Sequence, residues 1–460
     1  MRAITQHLKR QGYSVVDESF YNQIALWMSW YQGKVSSFHN YRQYNGKKKI
    51  ARTRASLAMG KKVAEDWADL LLNEKVNFVL ANEQAQQTID AVLSASNFRV
   101  RGNRLLELAF ALGTGALVEY KDGEDVKIDY IRAGMMYPLA WENGEISECA
   151  FGSERVADGK RFVYLNSHIK NAKGFYVIKN EMFIRNGDTL AVAALPEGVL
   201  PEVNTGSELP LFQIVGPNLV NNVALDCPMG VSVYANAIDV LQGLDLVYDS
   251  YCNEFRLGKK RIVVPIDMAQ TVMEADGSAT PVFDDNDTEF YAITADDQTE
   301  KKIQEINMEL RSEPHEAALK SGLNLLSSKC GLGNDRYNFE KGNLKTATEV
   351  VSEKSELYQS LKKHELLLEK ALVGMIRSIA FLSGLYTDFN ITINFDDSII
   401  EDVNAEKLRF LQEIRDGVRQ KYEYRVEFLG EDEATAKRMT AEGLDDDTLM
   451  GFGANNNVNS

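Results

Sequence analysis

Gly331-Leu-Gly-Asn-Asp-Arg-Tyr-Asn-Phe-Glu-Lys-Gly-Asn-Leu-Lys345, followed at once by Thr346-Ala-Thr-Glu349, is the stretch on which the reading of the whole chain turns. Its three glycines and three asparagines permit positive φ, and Arg336, Lys341 and Lys345 supply cations, so a mobile loop with a basic edge is expected. Thr346-x-x-Glu349 then fits a capping box. An apolar stripe follows through Val350, Leu357, Leu361, Leu368, Leu372, Ile376 and Ile379 to Ser383, and Gly384 ends it. At 1.5 Å per residue that helix reaches about 54 Å, far beyond the usual three turns. A helix so long must pack on several bodies or on neighbouring subunits.

Upstream of the loop the chain is also helical. Ser232 to Leu257 carries Val233, Ala237, Val240, Leu244, Val247, Tyr251 and Phe255 at helical spacing, with Gly258 where a cap belongs. Lys259-Lys260-Arg261 and a strand, Ile262 to Ile266, come next. Between Ile262 and Glu300 there are ten carboxylates and no Lys or Arg. Asp284-Asp285-x-Asp287 has oxygens a divalent cation would accept, but the run lacks the order of a calcium loop, and an acidic surface is the better reading. Helix is expected again over Lys301 to Leu310 and from Ser312 to Cys330. Downstream, Ile391 to Phe395 reads as a strand, Ala405 to Gly417 and Glu431 to Ala441 as helices, and Asp445 to Ser460 as a disordered tail.

In the first half, helices are expected over Asp17 to Trp30, Ser56 to Asn73, Gln84 to Ser96 and Arg104 to Leu112. From Gly113 to Ala194 a meander of antiparallel strands is expected. Its turn signals are Asp122-Gly123, Asn143-Gly144, Asp158-Gly159 and Asn186-Gly187. Four prolines make Pro196 to Pro217 a turn-rich connector. Phe38 to Arg54 interleaves Tyr41 and Tyr44 with Arg42, Lys47, Lys48, Lys49, Arg52 and Arg54. Such a pattern serves nucleic-acid stacking or a solvated, subunit-contacting arm, and the acidic whole favours the arm.

Composition excludes several classes. The 460 residues carry a net charge of −16 with a pI near 5.0, which argues against a broad phosphate-neutralising surface but not against guiding DNA without holding it. No apolar run of about 18 residues occurs, and Met1 to Tyr13 has no signal-peptide core, so an unexported protein off the membrane is expected. Cys149, Cys227, Cys252 and Cys330 have no metal-ligand spacing and read as reduced core thiols. His315-Glu316 and His364-Glu365 lack a following zinc-spaced histidine, and there is no phosphate loop and no nucleophile elbow. Neither a cofactor nor a resident metal is expected.

A long helix, an acidic excursion, a returning helix, a Gly/Asn loop, Lys345-Thr-Ala-Thr-Glu-Val350 and a very long helix, in that order, resemble the phage portal proteins of Gram-positive siphoviruses. Ile391-Thr-Ile-Asn-Phe-Asp-Asp-Ser-Ile399, Tyr424-Arg425 and Gly430-x-x-Glu433-Ala434 strengthen the resemblance, which covers about Pro228 to Ala441 well. It implies an α+β, mainly α, portal-type fold with long stem and wing helices and a β-rich wing segment, assembled as a ring, a dodecamer in that family's manner. The implied parts are a wing over 1–217, a stem helix over 228–258, a clip over 259–303 and a second stem helix over 304–330. A tunnel loop over 331–345, a long wing helix and strand over 346–403, a crown over 404–444 and a tail over 445–460 complete it.

By the same resemblance Asn334, Arg336, Lys341, Asn343 and Lys345 face DNA in the tunnel, and Lys259, Lys260, Arg261, Asp284, Asp285 and Asp287 face the terminase. The implied role is a non-enzymatic channel at the capsid vertex of a tailed bacteriophage, for packaging and ejecting the genome. Implied partners are the terminase large subunit, the scaffold and major capsid proteins, a head-tail adaptor, and double-stranded DNA held weakly and without sequence preference. The location would be the virion, after synthesis in the host cytoplasm. Two other readings stay open from sequence: a virion or scaffold interaction protein without a channel, and a metal-dependent nuclease using the acidic run.

Overall fold

The structure, a computed structural model, describes residues 2–44, 48–258, 261–265, 271–273, 279–281, 290–293, 304–334, 336–337, 347–395, 410–429 and 431–441. The chain divides into two compact units, Met1–Phe395 and Asp396–Ser460. With 45% helix and 25% strand it is a mixed α+β protein.

The first unit opens with α1 (Arg2–Arg10), α2 (Glu18–Tyr31) and the single turn α3 (Ser36–His39). Asp17 caps α2 by accepting from Ser19 N at 2.8 Å, and Phe20, Ile24 and Trp27 bury the expected face. The pattern missed α1, a short basic segment whose Ile4 and Leu8 are nonetheless buried. β1 (Asn40–Tyr44) and β2 (Lys49–Thr53) form an antiparallel hairpin. Then come α4 (Met59–Leu71), β3 (Asn77–Leu80), α5 (Glu83–Ala95) and α6 (Phe98–Leu112). Compared with the expected start at Arg104, α6 begins six residues earlier, because Phe98 is buried and packs edge-on to Phe78.

The strands that follow are β4 (Gly115–Asp122), β5 (Asp125–Arg132), β6 (Met136–Glu142), β7 (Glu145–Ala157), β8 (Lys160–Lys170), β9 (Tyr176–Asn186), β10 (Thr189–Ala193), β11 (Glu202–Asn204) and β12 (Phe212–Val215). All four Asx-Gly turns connect hairpins as expected, with positive φ at Gly123, Gly144, Gly159 and Gly187. The meander is two sheets rather than one. A 3-10 turn at Ala133–Met135 breaks it, so β4 lies between β5 and β12 in one sheet, while β6 to β10, joined by β11, make a separate sheet. Neither short strand of the Pro-rich connector, β11 or β12, carried a periodic signal of its own.

The remaining elements are α7 (Ile238–Leu257), β13 (Arg261–Pro265), β14 (Thr271–Met273), β15 (Ala279–Pro281), β16 (Phe290–Ile293), β17 (Gln304–Ile306), α8 (Ser312–Lys329), α9 (Ala347–Leu382) and β18 (Ile391–Asn394). Two expectations change here. The helix foreseen from Ser232 begins only at Ile238, because the residues before it are held otherwise: Val233 N donates to the Phe110 carbonyl, and the Tyr234 hydroxyl donates to the Trp27 carbonyl. In place of the helix foreseen over Lys301 to Leu310, β17 pairs antiparallel with β13, whose other neighbour is β16. The long helix is as expected, 36 residues with Gly384 in the left-handed region after it, and β18 pairs with β3.

Three glycines allow the entry to α7. A Cβ on Gly113 would lie 2.3 Å from the Gly230 carbonyl oxygen, and one on Gly216 or Gly230 would strike the Gly113 carbonyl. Three backbone segments therefore cross in contact, and Gly230 N donates to Thr114 Oγ1 at 2.8 Å.

In the second unit, α10 (Lys421–Leu429) and α11 (Glu433–Ala441) pack together. Phe410 is buried against the rings of Tyr424 and Phe428, and Arg425 holds Glu431 through two 2.8 Å bonds. The helix α10 was not foreseen. The tail from Asp445 lies outside the described residues.

α7 and α8 run antiparallel in close contact, and Gly322 sets their spacing: a Cβ there would lie 2.7 Å from Leu244 Cδ2. Gly322→Val should therefore lower stability by about 1–3 kcal/mol through overpacking, read as a drop in the thermal midpoint of the purified protein. An unchanged midpoint contradicts this packing.

Candidate functional site

Of the functional residues expected from sequence, the described ones, Arg261, Asn334 and Arg336, follow the ends of α7 and α8 along the chain, so the α7–α8 pair is the frame. Its contacts keep one register along its length. Lys329 Nζ donates to the Asn236 carbonyl at 3.1 Å, His315 Nε2 is 3.0 Å from Ser250 Oγ, and Arg311 pairs with Glu254. Tyr251 and Phe255 stack edge-on near the far end. Along the pair Leu246, Phe255 and Leu325 stay exposed, so it keeps apolar surface that the isolated chain does not cover.

At the near end α8 stops at Lys329 and the chain turns through Gly331 and Gly333, both at positive φ. Ser327 Oγ donates to the Gly333 carbonyl at 2.5 Å. The turn is fixed to the body by Trp67 of α4, whose Nε1–H donates to the Cys330 carbonyl at 3.0 Å. That indole is fully buried, stacks on Phe110 of α6 and meets His364 of α9 edge-on, with centroids 5.9 and 4.6 Å apart. His364 Nδ1 accepts from Asn218 N at 3.0 Å. Burial, with Lys363 next to it, pulls its pKa down to about 4, so the ring stays neutral in this apolar setting. Four helices and the connector thus meet where the loop begins.

The first loop residues differ from the expected mobile segment. Leu332, Gly333 and Tyr337 are buried, while Asn334 and Arg336 are exposed. Arg336 Nη2 lies 3.5 Å from Asp66 Oδ1 on α4, a carboxylate also bridged by Lys62 at 2.8 Å. The Tyr337 hydroxyl faces the same carboxylate without reaching hydrogen-bond geometry. Burial, and then the Asp66 charge, push its pKa well up. So Arg336 has a protein partner 270 positions away in sequence, which no local pattern announced. Lys341, Asn343 and Lys345 lie outside the described residues.

At the far end, Lys259, Lys260, Asp284, Asp285 and Asp287 also lie outside the described residues, and Arg261 opens β13. Among the described residues no group of three His, Cys, Asp or Glu is placed to hold a metal, and no helix is long and apolar enough to cross a membrane. The four cysteines are free, and burial pushes the Cys227 thiol up to about 11.

One buried acid escaped the sequence reading. Glu119 of β4 is completely buried where β12 and α9 cover it, and its signal was only a lone carboxylate in the apolar run Gly115 to Tyr120. Gln213 and Ser378 face it and bond to each other at 3.2 Å, but neither Glu119 oxygen reaches hydrogen-bond geometry. Burial therefore dominates and raises its pKa well above 4.5. The folded state keeps a proton that the unfolded state releases above 4.5, so this group costs stability increasingly as pH rises from there. Glu119→Gln should raise the thermal midpoint at pH 7 to 8, by on the order of 1 kcal/mol, and leave it nearly unchanged at pH 4. An equal effect at both pH values contradicts a proton held at Glu119.

Compared with known proteins, residues 15–447 match the family model described as phage portal protein, SPP1 Gp6-like. No curated protein matches. Among solved structures, one similar chain comes from the virion of a native gene transfer agent particle, at 11% identity and a TM-score of 0.45. The match covers 88% of this chain and 92% of that one. Two others come from the neck of the native particle computed with C12 symmetry and the neck of the empty particle computed with C6 symmetry. Each is 11% identical with a TM-score of 0.42, covering 80% of this chain and 87% of that one.

Proposed function

The chain belongs to the phage portal protein family, and from that premise we propose that copies of it close into a ring, a dodecamer, whose axial channel passes the genome into and out of the head. The family is a structural one, and the chain is a portal protein of a phage-like particle. The observation that carries the proposal is the family match over 15–447, which spans the α7–α8 pair, the loop and α9 together. In this reading 1–217 is the wing, α7 and α8 are the stem, and 259–303 is the clip. The loop over 331–345 faces the channel, α9 and β18 over 346–403 cross the wing, and 404–444 is the crown.

Physical reasons support the parts. A protein of net charge −16 repels phosphate overall, so DNA can slide past it, while a few loop cations give contacts weak enough to break. Lys341 and Lys345 with Asn343 are assigned those contacts, beside Asn334. Arg336, which already pairs with Asp66, contributes through whatever share of time it leaves that partner. Lys259, Lys260, Arg261 and the carboxylates Asp284, Asp285 and Asp287 are assigned to docking the terminase large subunit and later the head-tail adaptor. Scaffold and major capsid protein would meet the outer wing, and the working location is the capsid vertex of the virion.

Two measurements test this. Heads assembled without the protein should contain no DNA, and filled heads in its absence would refute the portal role. Heads built with Lys341→Ala plus Lys345→Ala should form in normal number but package less DNA per head, by about threefold to tenfold if each lost cation weakens the sliding contacts. Normal packaging by such heads removes the loop's assigned role while leaving the channel.

A further inference from the structure

We propose that the β1–β2 hairpin is a docking arm whose cationic face seats on the first turn of α8, at Glu313 and Glu316, in a neighbouring copy of this chain. The inference rests on the ring reading above and adds to it a specific contact.

The hairpin stands alone. It forms a two-stranded sheet, and neither outer edge pairs with another strand among the described residues. An isolated hairpin is marginal in water, so one kept in an extended, exposed position gains from a partner. Its two faces differ. Facing inward are Tyr41, Gln43, Ile50 and Arg52, all but the exposed Gln43 half-buried, with Arg54 stacked over Phe38 and Tyr41 at 4.7 and 4.6 Å. Facing outward are Asn40, Arg42, Tyr44, Lys49, Ala51 and Thr53, every one exposed. Arg42 and Lys49 make no ion pair among the described residues.

Charge selects the occupant. Phe38 to Arg54 holds six Lys and Arg and no Asp or Glu, inside a chain of net charge −16, so a second copy is itself a complementary surface. Geometry narrows the place. The base of the hairpin is locked to α7. Val35 N donates to His39 Nδ1 at 2.9 Å, which leaves the proton on Nε2 to donate to Asp245 at 2.9 Å. Asp245, 5% exposed, also accepts from Ser56 Oγ at 2.9 Å and Leu57 N at 2.8 Å, and Asp249 accepts from Ala55 N at 3.0 Å. The arm therefore leaves the stem beside Asp245 and Asp249. In the antiparallel register Asp249 adjoins Ser250, which meets His315 of α8 next to the exposed Glu313 and Glu316, while Asp245 lies one turn further in, level with Gly322. In a ring, an arm that leaves at the level of Asp249 and extends sideways reaches the first turn of the neighbour's α8, where Glu313 and Glu316 are exposed.

The test uses the full-length protein. Assembly of the wild type, of Arg42→Glu plus Lys49→Glu, and of that pair combined with Glu313→Lys plus Glu316→Lys is followed by mass photometry over protein and salt concentration, with circular dichroism confirming the fold. Binding to a duplex DNA probe is measured alongside. The expected result is about a tenfold rise in the concentration for half-assembly of the first variant, with weaker salt dependence and recovery in the combined one. The milder Arg42→Gln plus Lys49→Gln should fall between and guards against misfolding. Equal assembly of all variants overturns the arm, as does a defect that the α8 changes fail to recover. Loss of DNA binding with assembly intact would give the face to nucleic acid and also overturn it. A wild type that assembles neither alone nor with its scaffold protein removes the ring reading itself, which separates that failure from this one.

Discussion

The indole of Trp67 is the contact on which the rest of the architecture depends. It is fully buried, offers one face to Phe110 and its flank to His364, and spends its only polar group on the carbonyl that ends α8. Through this one side chain the body formed by α4 and α6 grips both the returning helix of the α7–α8 pair and the long helix α9. A buried hydrogen bond contributes about 1 kcal/mol net, and the aromatic burial several times that, so the junction is held more by packing than by polarity. Its polarity sets direction: the loop can leave α8 only along the path that keeps the Cys330 carbonyl on Nε1.

Around that junction the ionisable groups are kept uncharged or paired. His364 is neutral because its surroundings are dry, and Glu119 holds its proton for the same reason. Asp66 is the exception, a buried carboxylate kept by Lys62 and approached by Arg336. A seat for α9 whose few buried charges are paired leaves most of the molecule's charge to its surface. That division suits the proposed channel, in which a repulsive exterior relieved by a few cations would let DNA slide.

How much of this was legible depends on the range of the interactions involved. The four Asx-Gly hairpins and α2, α8 and α9 were readable because turn chemistry and helical periodicity are local. The early part of the expected stem helix was not, since Val233 and Tyr234 fit a helical stripe as well as they fit their actual partners, the Phe110 and Trp27 carbonyls more than a hundred residues away. The strand β17 was misread for the same reason: its partner β13 lies across the acidic excursion. At the site, sequence named Arg336 and Asn334 as loop residues, but only the fold brings Asp66 against Arg336 and Tyr337. Glu119 left a faint trace, one acid in an apolar strand, whose meaning depends on the helix that covers it.

Class-averaged electron microscopy of the purified, untagged chain, alone at high concentration and with its scaffold protein, tests the central claim most directly. The account predicts closed rings with an axial hole wide enough for duplex DNA and the α7–α8 pair lining it. Compact particles without a hole under both conditions would contradict the channel.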